Sequence, residues 1–125
     1  MSVVYDTGVL VAADRNDRNT WADHRVRLEL GMTPITTALV VAQTSRSPRQ
    51  AQLRRFLSGC DIKACTSEHA HDVGALLGAS ETSDVVDAHV VLVASAHHAL
   101  VITSDDTDIK RLSARLPTPI TVEHV

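Results

Sequence analysis

Five aspartates stand where a folded chain could gather them. Asp6 ends the run Ser2-Val3-Val4-Tyr5, Asp84 and Asp87 open an apolar helix, and Asp105 and Asp108 follow Leu100-Val101-Ile102-Thr103. Carboxylates brought together without basic partners repel one another, and a divalent cation is the usual reason for such an arrangement. An oxygen-only donor set suits Mg²⁺, or Mn²⁺ in its place, rather than zinc, which prefers histidine and cysteine. An ion held this way keeps waters, recruits phosphate oxygens and activates a water for in-line attack. The matching reaction is hydrolysis of a phosphodiester.

Each acid also has a plainer explanation. Asp and Ser cap helices and fill turns, and an acid in a first helical turn suits the positive end of the dipole. That accounts for Asp84. It accounts less well for Asp87, which is surrounded by Val85, Val86, Ala88, Val90 and Val91. Capping also leaves unexplained why all these acids fall at strand ends or helix starts. No lysine or arginine lies between Lys63 and Lys110 to neutralise them locally.

The elements that must position these residues follow from periodicity. Residues 2–6 and 99–103 are β-branched-rich and too short for helices, so they read as buried strands. Shorter strands are expected at 34–36, 61–66 and 119–124. Helical patterns fill the intervals: 8–13, a helix capped by Thr20 and stopped by Gly31, 38–43 capped by Thr37, one with Pro48 in its first turn, 67–78, 85–98 and 106–116. In the second helix Trp21, Arg25 and Leu28 share a stripe. Alternating strands and helices in one short chain predict an α/β fold, one domain over 1–125, with a central, mostly parallel sheet of about five strands. If the first and fourth strands are parallel neighbours, Asp6 and Asp105 meet at one sheet edge, where such sheets bind ligands.

Composition narrows the classes. The chain has 125 residues, 44% hydrophobic, with net charge −3. No apolar run approaches the roughly 20 residues of a membrane span, and MSVVYD does not begin a secretory signal, so a cytoplasmic protein is expected. Arginines cluster at 15–27 and again at 46–55, a common helix surface that also suits a polyanionic substrate. Cys60 and Cys65 are too few for a disulfide framework. With His69 and His71 they give C-x4-C-x3-H-x-H, which does not match the common zinc spacings. Apolar positions on the early helices (Val9, Leu10, Trp21, Leu28, Leu53, Phe56) exceed what one small sheet is expected to cover, a hint of an interface.

Three segments, VVYDTGVLVAA, DVVDAHVVLVASA and VITSDDTDIKRL, occur in the order of a known family. The chain resembles PIN-domain ribonucleases of the VapC type, the toxin half of bacterial toxin–antitoxin pairs, over its whole length. The resemblance implies a Mg²⁺-dependent endoribonuclease that cleaves RNA, neutralised by a cognate VapB-type antitoxin and assembled as a homodimer or toxin–antitoxin hetero-oligomer. It implies Asp6, Asp87 and Asp105 as metal ligands, with Asp84 and Asp108 beside them. Thr103 or Ser104 is expected to orient a water or phosphate, and Arg46, Arg49 and Arg55 are expected to grip the phosphates of RNA. One position departs from the pattern: Gln43 stands where the family usually has glutamate. An amide contributes no charge, so weaker metal binding and reduced turnover are expected.

Two other readings compete. A catalytically degraded PIN module would bind RNA or antitoxin only, with Gln43 as the motive. A phosphoryl-transfer domain is also compatible with a strand ending in Asp. A phosphatase of that kind wants an acid at position 8, which is Gly8, and a receiver wants an early acidic pair that is absent.

Overall fold

Val3–Tyr5 form the central strand β1 and are buried at every position. A strand buried on both sides needs helices on both faces, which a parallel sheet with crossover helices supplies. The structure, a computed structural model describing residues 2–125, meets that demand. In chain order, β1 is followed by α1 (Thr7–Asp14), α2 (Arg18–Glu29), β2 (Ile35–Thr37), α3 (Ala38–Thr44) and α4 (Ala51–Leu57). Then come β3 (Asp61–Lys63), α5 (Ser67–Ser80), α6 (Val85–Ala96), β4 (Leu100–Thr103), α7 (Asp106–Ser113) and β5 (Val122–His124).

The five strands form one sheet in the order β3-β2-β1-β4-β5. Every pairing is parallel, so the expected mostly parallel sheet is wholly so. The register of β1 on β4 pairs Val3 with Leu100, Val4 with Val101 and Tyr5 with Ile102. Asp6, the first residue past β1, therefore stands beside Thr103, the last residue of β4. Helices α1, α2 and α4 pack together, as do α5, α6 and α7. The core runs through Val4, Tyr5, Leu10, Phe56, Val90, Val91, Ile102 and Ile109, all nearly inaccessible to solvent.

Some expected boundaries move. Helix α2 starts earlier, because Asp17 is its cap: its carboxylate accepts from the Thr20 N–H and hydroxyl at 3.0 and 2.8 Å. The inward face consequently carries Trp21, His24 and Arg27, not Arg25 and Leu28. The His24 ring stacks on Phe56 with centroids 3.9 Å apart, and its Nδ1 lies 2.9 Å from the Tyr5 hydroxyl, which also accepts from Arg27 at 3.2 Å. Pro48 lies in a turn before α4 rather than inside it. Strands β3 and β5, at the sheet edges, are shorter than expected. Val9, Leu10, Leu53 and Phe56 are buried and Trp21 half-buried, leaving Leu28, at 42% exposure, as the exposed residue of that group. Most of the apolar surplus on the early helices is core, while Leu28 stays exposed with Val26 and Leu30.

Candidate metal centre

Strand β1 is where the chain order across the sheet reverses: β2 and β3 extend one way, β4 and β5 the other. Ligands of open parallel sheets bind beyond the carboxyl ends of the strands at such a switch point. Asp6 is the first residue past β1. Its N–H donates to the Ile102 carbonyl at 3.0 Å, and the Thr103 hydroxyl donates to its Oδ2 at 2.7 Å. The same Thr103 oxygen accepts from the Asp105 N–H at 2.9 Å. One fully buried hydroxyl thus fixes two acidic residues that lie far apart in sequence. Asp6 is 3% exposed, and its Oδ1 is buried without a hydrogen-bond partner. Leaving a buried acceptor unmet costs about 1–3 kcal/mol, more for a charged one, so this oxygen calls for a cation or a donor.

The second wall is the start of α6. Asp84 Oδ1 accepts from the Val86 and Asp87 N–H groups at 2.9 and 3.1 Å, capping the helix. Asp87 then sits on its first turn at 8% exposure. The third wall is the start of α7, with Asp105 at its N-cap position and Asp108 in its first turn. Carboxylate oxygens of Asp87, Asp105 and Asp108 all lie within 4.8 Å of one another. Oxygens bound to one octahedral Mg²⁺ at about 2.0–2.1 Å are at most roughly 4.2 Å apart, so a small closure suffices.

The electrostatics follow from this crowding. Burial, then repulsion from Asp6, Asp84, Asp105 and Asp108, pushes the Asp87 carboxyl up to about 7. Asp105 is raised by its own desolvation and by Asp108. Among the described residues, no lysine, arginine or histidine forms an ion pair with any of these five acids. An oxygen-only donor set with an orphaned buried oxygen and no ion-paired counter-charge fits a hard divalent cation.

Gln43 approaches the same edge from α3, where its Oε1 accepts from the Thr7 hydroxyl at 2.6 Å. Thr7 directly follows Asp6. The neighbouring Gly8 is there because of close approach: a Cβ at that position would fall on the Ser104 hydroxyl and within 3.0 Å of Ser104 Cβ. Gly8 lets the β4–α7 loop settle against α1 and so brings Asp105 toward Asp6.

The Thr103 hydroxyl is engaged by Asp6 and Asp105. Ser104 is exposed and lies against Gly8. Arg46 folds back onto the Ala42 and Ser45 carbonyls at 3.3 and 2.8 Å, and Arg55 lies over the Trp21 ring at 5.6 Å. Arg49 is exposed in the turn before α4. None of the three bonds to the acids. Sequence reasoning missed Thr7, although it follows Asp6 directly. It also missed Arg111, which lines a cleft of about 240 Å³ with Asp84, Asp87 and Asp108. The spacing of Arg111 one turn beyond Asp108 was the available signal.

The PIN domain family profile matches residues 3–115. No curated protein matches the chain significantly. Solved structures share the fold. The VapBC2 complex of Rickettsia felis, bound to a fragment of promoter DNA, contains a chain that is 18% identical, with TM-score 0.71 and coverage of 100% of this chain and 99% of that one. A chain of FitAB bound to a DNA fragment is 12% identical, with TM-score 0.63 and coverage of 98% and 94%. The protein PAE2754 of Pyrobaculum aerophilum is 16% identical, with TM-score 0.62 and coverage of 97% and 92%.

Proposed function

Since this chain belongs to the PIN-domain family, we propose that it is a divalent-metal-dependent endoribonuclease, the toxin of a VapBC-type pair. The observation that carries this reading is the buried, unpartnered Asp6 Oδ1 beside a cluster of Asp87, Asp105 and Asp108 carboxylates that no cation pairs with and on which Asp6 adds its own repulsion. We assign Asp6, Asp87 and Asp105 as the residues that would hold Mg²⁺, with Asp108 beside them. When bound, such an ion supplies a water of lowered pKa and charge stabilisation for a phosphodiester.

The protein's own part is positioning. Thr103 orients Asp6 and leaves Oδ1 free. Asp84 fixes the first turn of α6 and hence Asp87. Arg111, lining the same cleft, is the cation best placed to attract a phosphate. Aromatic residues make up only 2% of the chain, so RNA recognition rests on backbone shape and hydrogen bonds rather than base stacking. An antitoxin partner follows by likeness to the VapBC and FitAB complexes, and it would cover the acids with its own positive charge.

Purified chain incubated with total RNA should cleave it with Mg²⁺ or Mn²⁺, and stop cleaving in EDTA. Asp6→Asn and Asp87→Asn should both be silent. Retained cleavage in both variants overturns the assignment.

Gln43 favours a second reading, a PIN module that binds RNA or antitoxin without cleaving. Its amide adds no charge, and its oxygen is already engaged by Thr7. If the chain and its Gln43→Glu variant are both silent with metal and varied RNAs, the binding reading replaces the enzymatic one.

A further inference from the structure

His89 lies on α6 at 1% exposure, and both of its ring nitrogens are buried without a hydrogen-bond partner. Buried polar groups are normally satisfied, so this imidazole needs an explanation. The acidic centre does not use it. It lines a cavity of about 430 Å³ between α5, α6 and the end of β3, together with His69, Asp72, Leu92, Val93 and His97. The His69 ring stands beside it, with centroids 5.7 Å apart and planes inclined by 38°.

That separation has a chemical meaning. With metal–nitrogen bonds of about 2.0–2.1 Å, two imidazoles on one tetrahedral ion have centroids roughly 5–6 Å apart. His69 Nδ1 lies 3.3 Å from the Ala64 carbonyl and 3.3 Å from the Thr66 N–H. In this structure Nδ1 accepts from the Thr66 N–H and closes the capping box of α5; a metal on Nε2 would move the proton to Nδ1, which would give up that bond and donate instead to the Ala64 carbonyl, the outer partner a metal-bound histidine commonly keeps. Burial and the neighbouring ring both favour neutral His89, the form that ligates. Lys63, on the same cavity, is paired with Asp61 at 2.9 Å, while Asp72 adds negative charge.

We propose that His69 and His89 form a second metal site, for a borderline transition-metal cation of the Zn²⁺ type, joining α5 to α6. Water or an exogenous donor completes the shell. The site is chemically distinct from the acidic centre: it offers nitrogen ligands where the other offers only oxygen, and it does not rest on the ribonuclease reading.

The test is calorimetric titration of the whole chain with Zn²⁺ in excess Mg²⁺, paired with the thermal midpoint. His69→Gln keeps a side chain able to satisfy the Thr66 cap, and His89→Leu fills the buried position with an apolar group, so neither depends on a collapsed fold. One saturable site is expected, unchanged in Asp87→Asn and weakened roughly tenfold or more in each histidine variant, since even outer-shell partners are worth 10–100-fold. Zn²⁺ should raise the midpoint of the parent but not of the histidine variants. Co²⁺ should give the visible absorption of a tetrahedral ion. No binding, binding untouched by both histidine variants, or binding lost in Asp87→Asn overturns the proposal.

Discussion

Replacing Asp87 by asparagine should stabilise the metal-free protein, although it should silence the proposed enzyme. The Asp87 carboxyl rises from 3.8 to about 7 through burial and four neighbouring aspartates, and no hydrogen bond lowers it. A raised acid pKa means the native state holds a proton that the unfolded state has released. Stability therefore falls as pH rises from about 4 to about 7, and the loss is complete above that. Three pH units at about 1.4 kcal/mol each set a ceiling near 4 kcal/mol. Asp87 borders an open cleft, and solvent there screens the repulsion, so about half that ceiling, roughly 2 kcal/mol, is a fair expectation. Asparagine forfeits a dipole contribution of about 0.3–1 kcal/mol, leaving a net gain of about 1–2 kcal/mol. Urea denaturation followed by circular dichroism in EDTA should show this gain at about pH 8 and its disappearance near pH 4. Added Mg²⁺ should invert the order, because it stabilises the parent by RT ln(1 + [L]/Kd) and has lost a ligand in the variant. A variant less stable than its parent at pH 8 without metal, or an advantage that persists at pH 4, would refute the reasoning.

Three further outcomes follow from the same geometry. Mg²⁺ affinity measured by calorimetry should be about tenfold weaker at pH 6 than at pH 8, since protons compete for Asp87 over that range. Gln43→Glu adds a carboxylate beside Thr7 and Asp6; it should raise Mg²⁺ affinity roughly tenfold and lower metal-free stability by increasing the repulsion. Gly8→Ala sets a methyl against the Ser104 side chain, at the start of the loop carrying Asp105; it should cost about 1–3 kcal/mol in denaturation and weaken Mg²⁺ binding.

The convergence of Asp6 and Asp105 at one sheet edge was legible in sequence because it depends on strand ends. Short β-branched runs closing on Asp6 and on Thr103-Ser104-Asp105 specify both the strands and the edge at which they finish, and the parallel pairing of β1 with β4 does the rest. What sequence patterns concealed was polar burial. His24 and Arg27 turn inward because the Tyr5 hydroxyl needs partners beneath the sheet, a demand that a search for apolar stripes on α2 does not register. The cap of α2 was misplaced for a related reason: Asp17 and Thr20 are both good capping residues, and only the backbone decides which of them accepts. The edge strands β3 and β5 were overestimated because each has one paired side, so apolar flanks such as Ile120 belong to the core without joining the ladder.

The acids are held by the fold around them: Asp6 and Asp105 share the Thr103 hydroxyl, and Asp87 follows the Asp84 cap. Mutual repulsion is therefore tolerated rather than relaxed, because the restraints come from parallel strands and helix starts that the core already secures. Neutralising one carboxylate should consequently leave the others where they are. Asp87→Asn then perturbs charge with the architecture intact, whereas Gly8→Ala perturbs the architecture with every charge intact. If metal binding responds to both, the ion needs the carboxylates and their spacing. If it responds to Asp87→Asn alone, the loop carrying Asp105 is adaptable enough that charge, not fixed geometry, governs this centre.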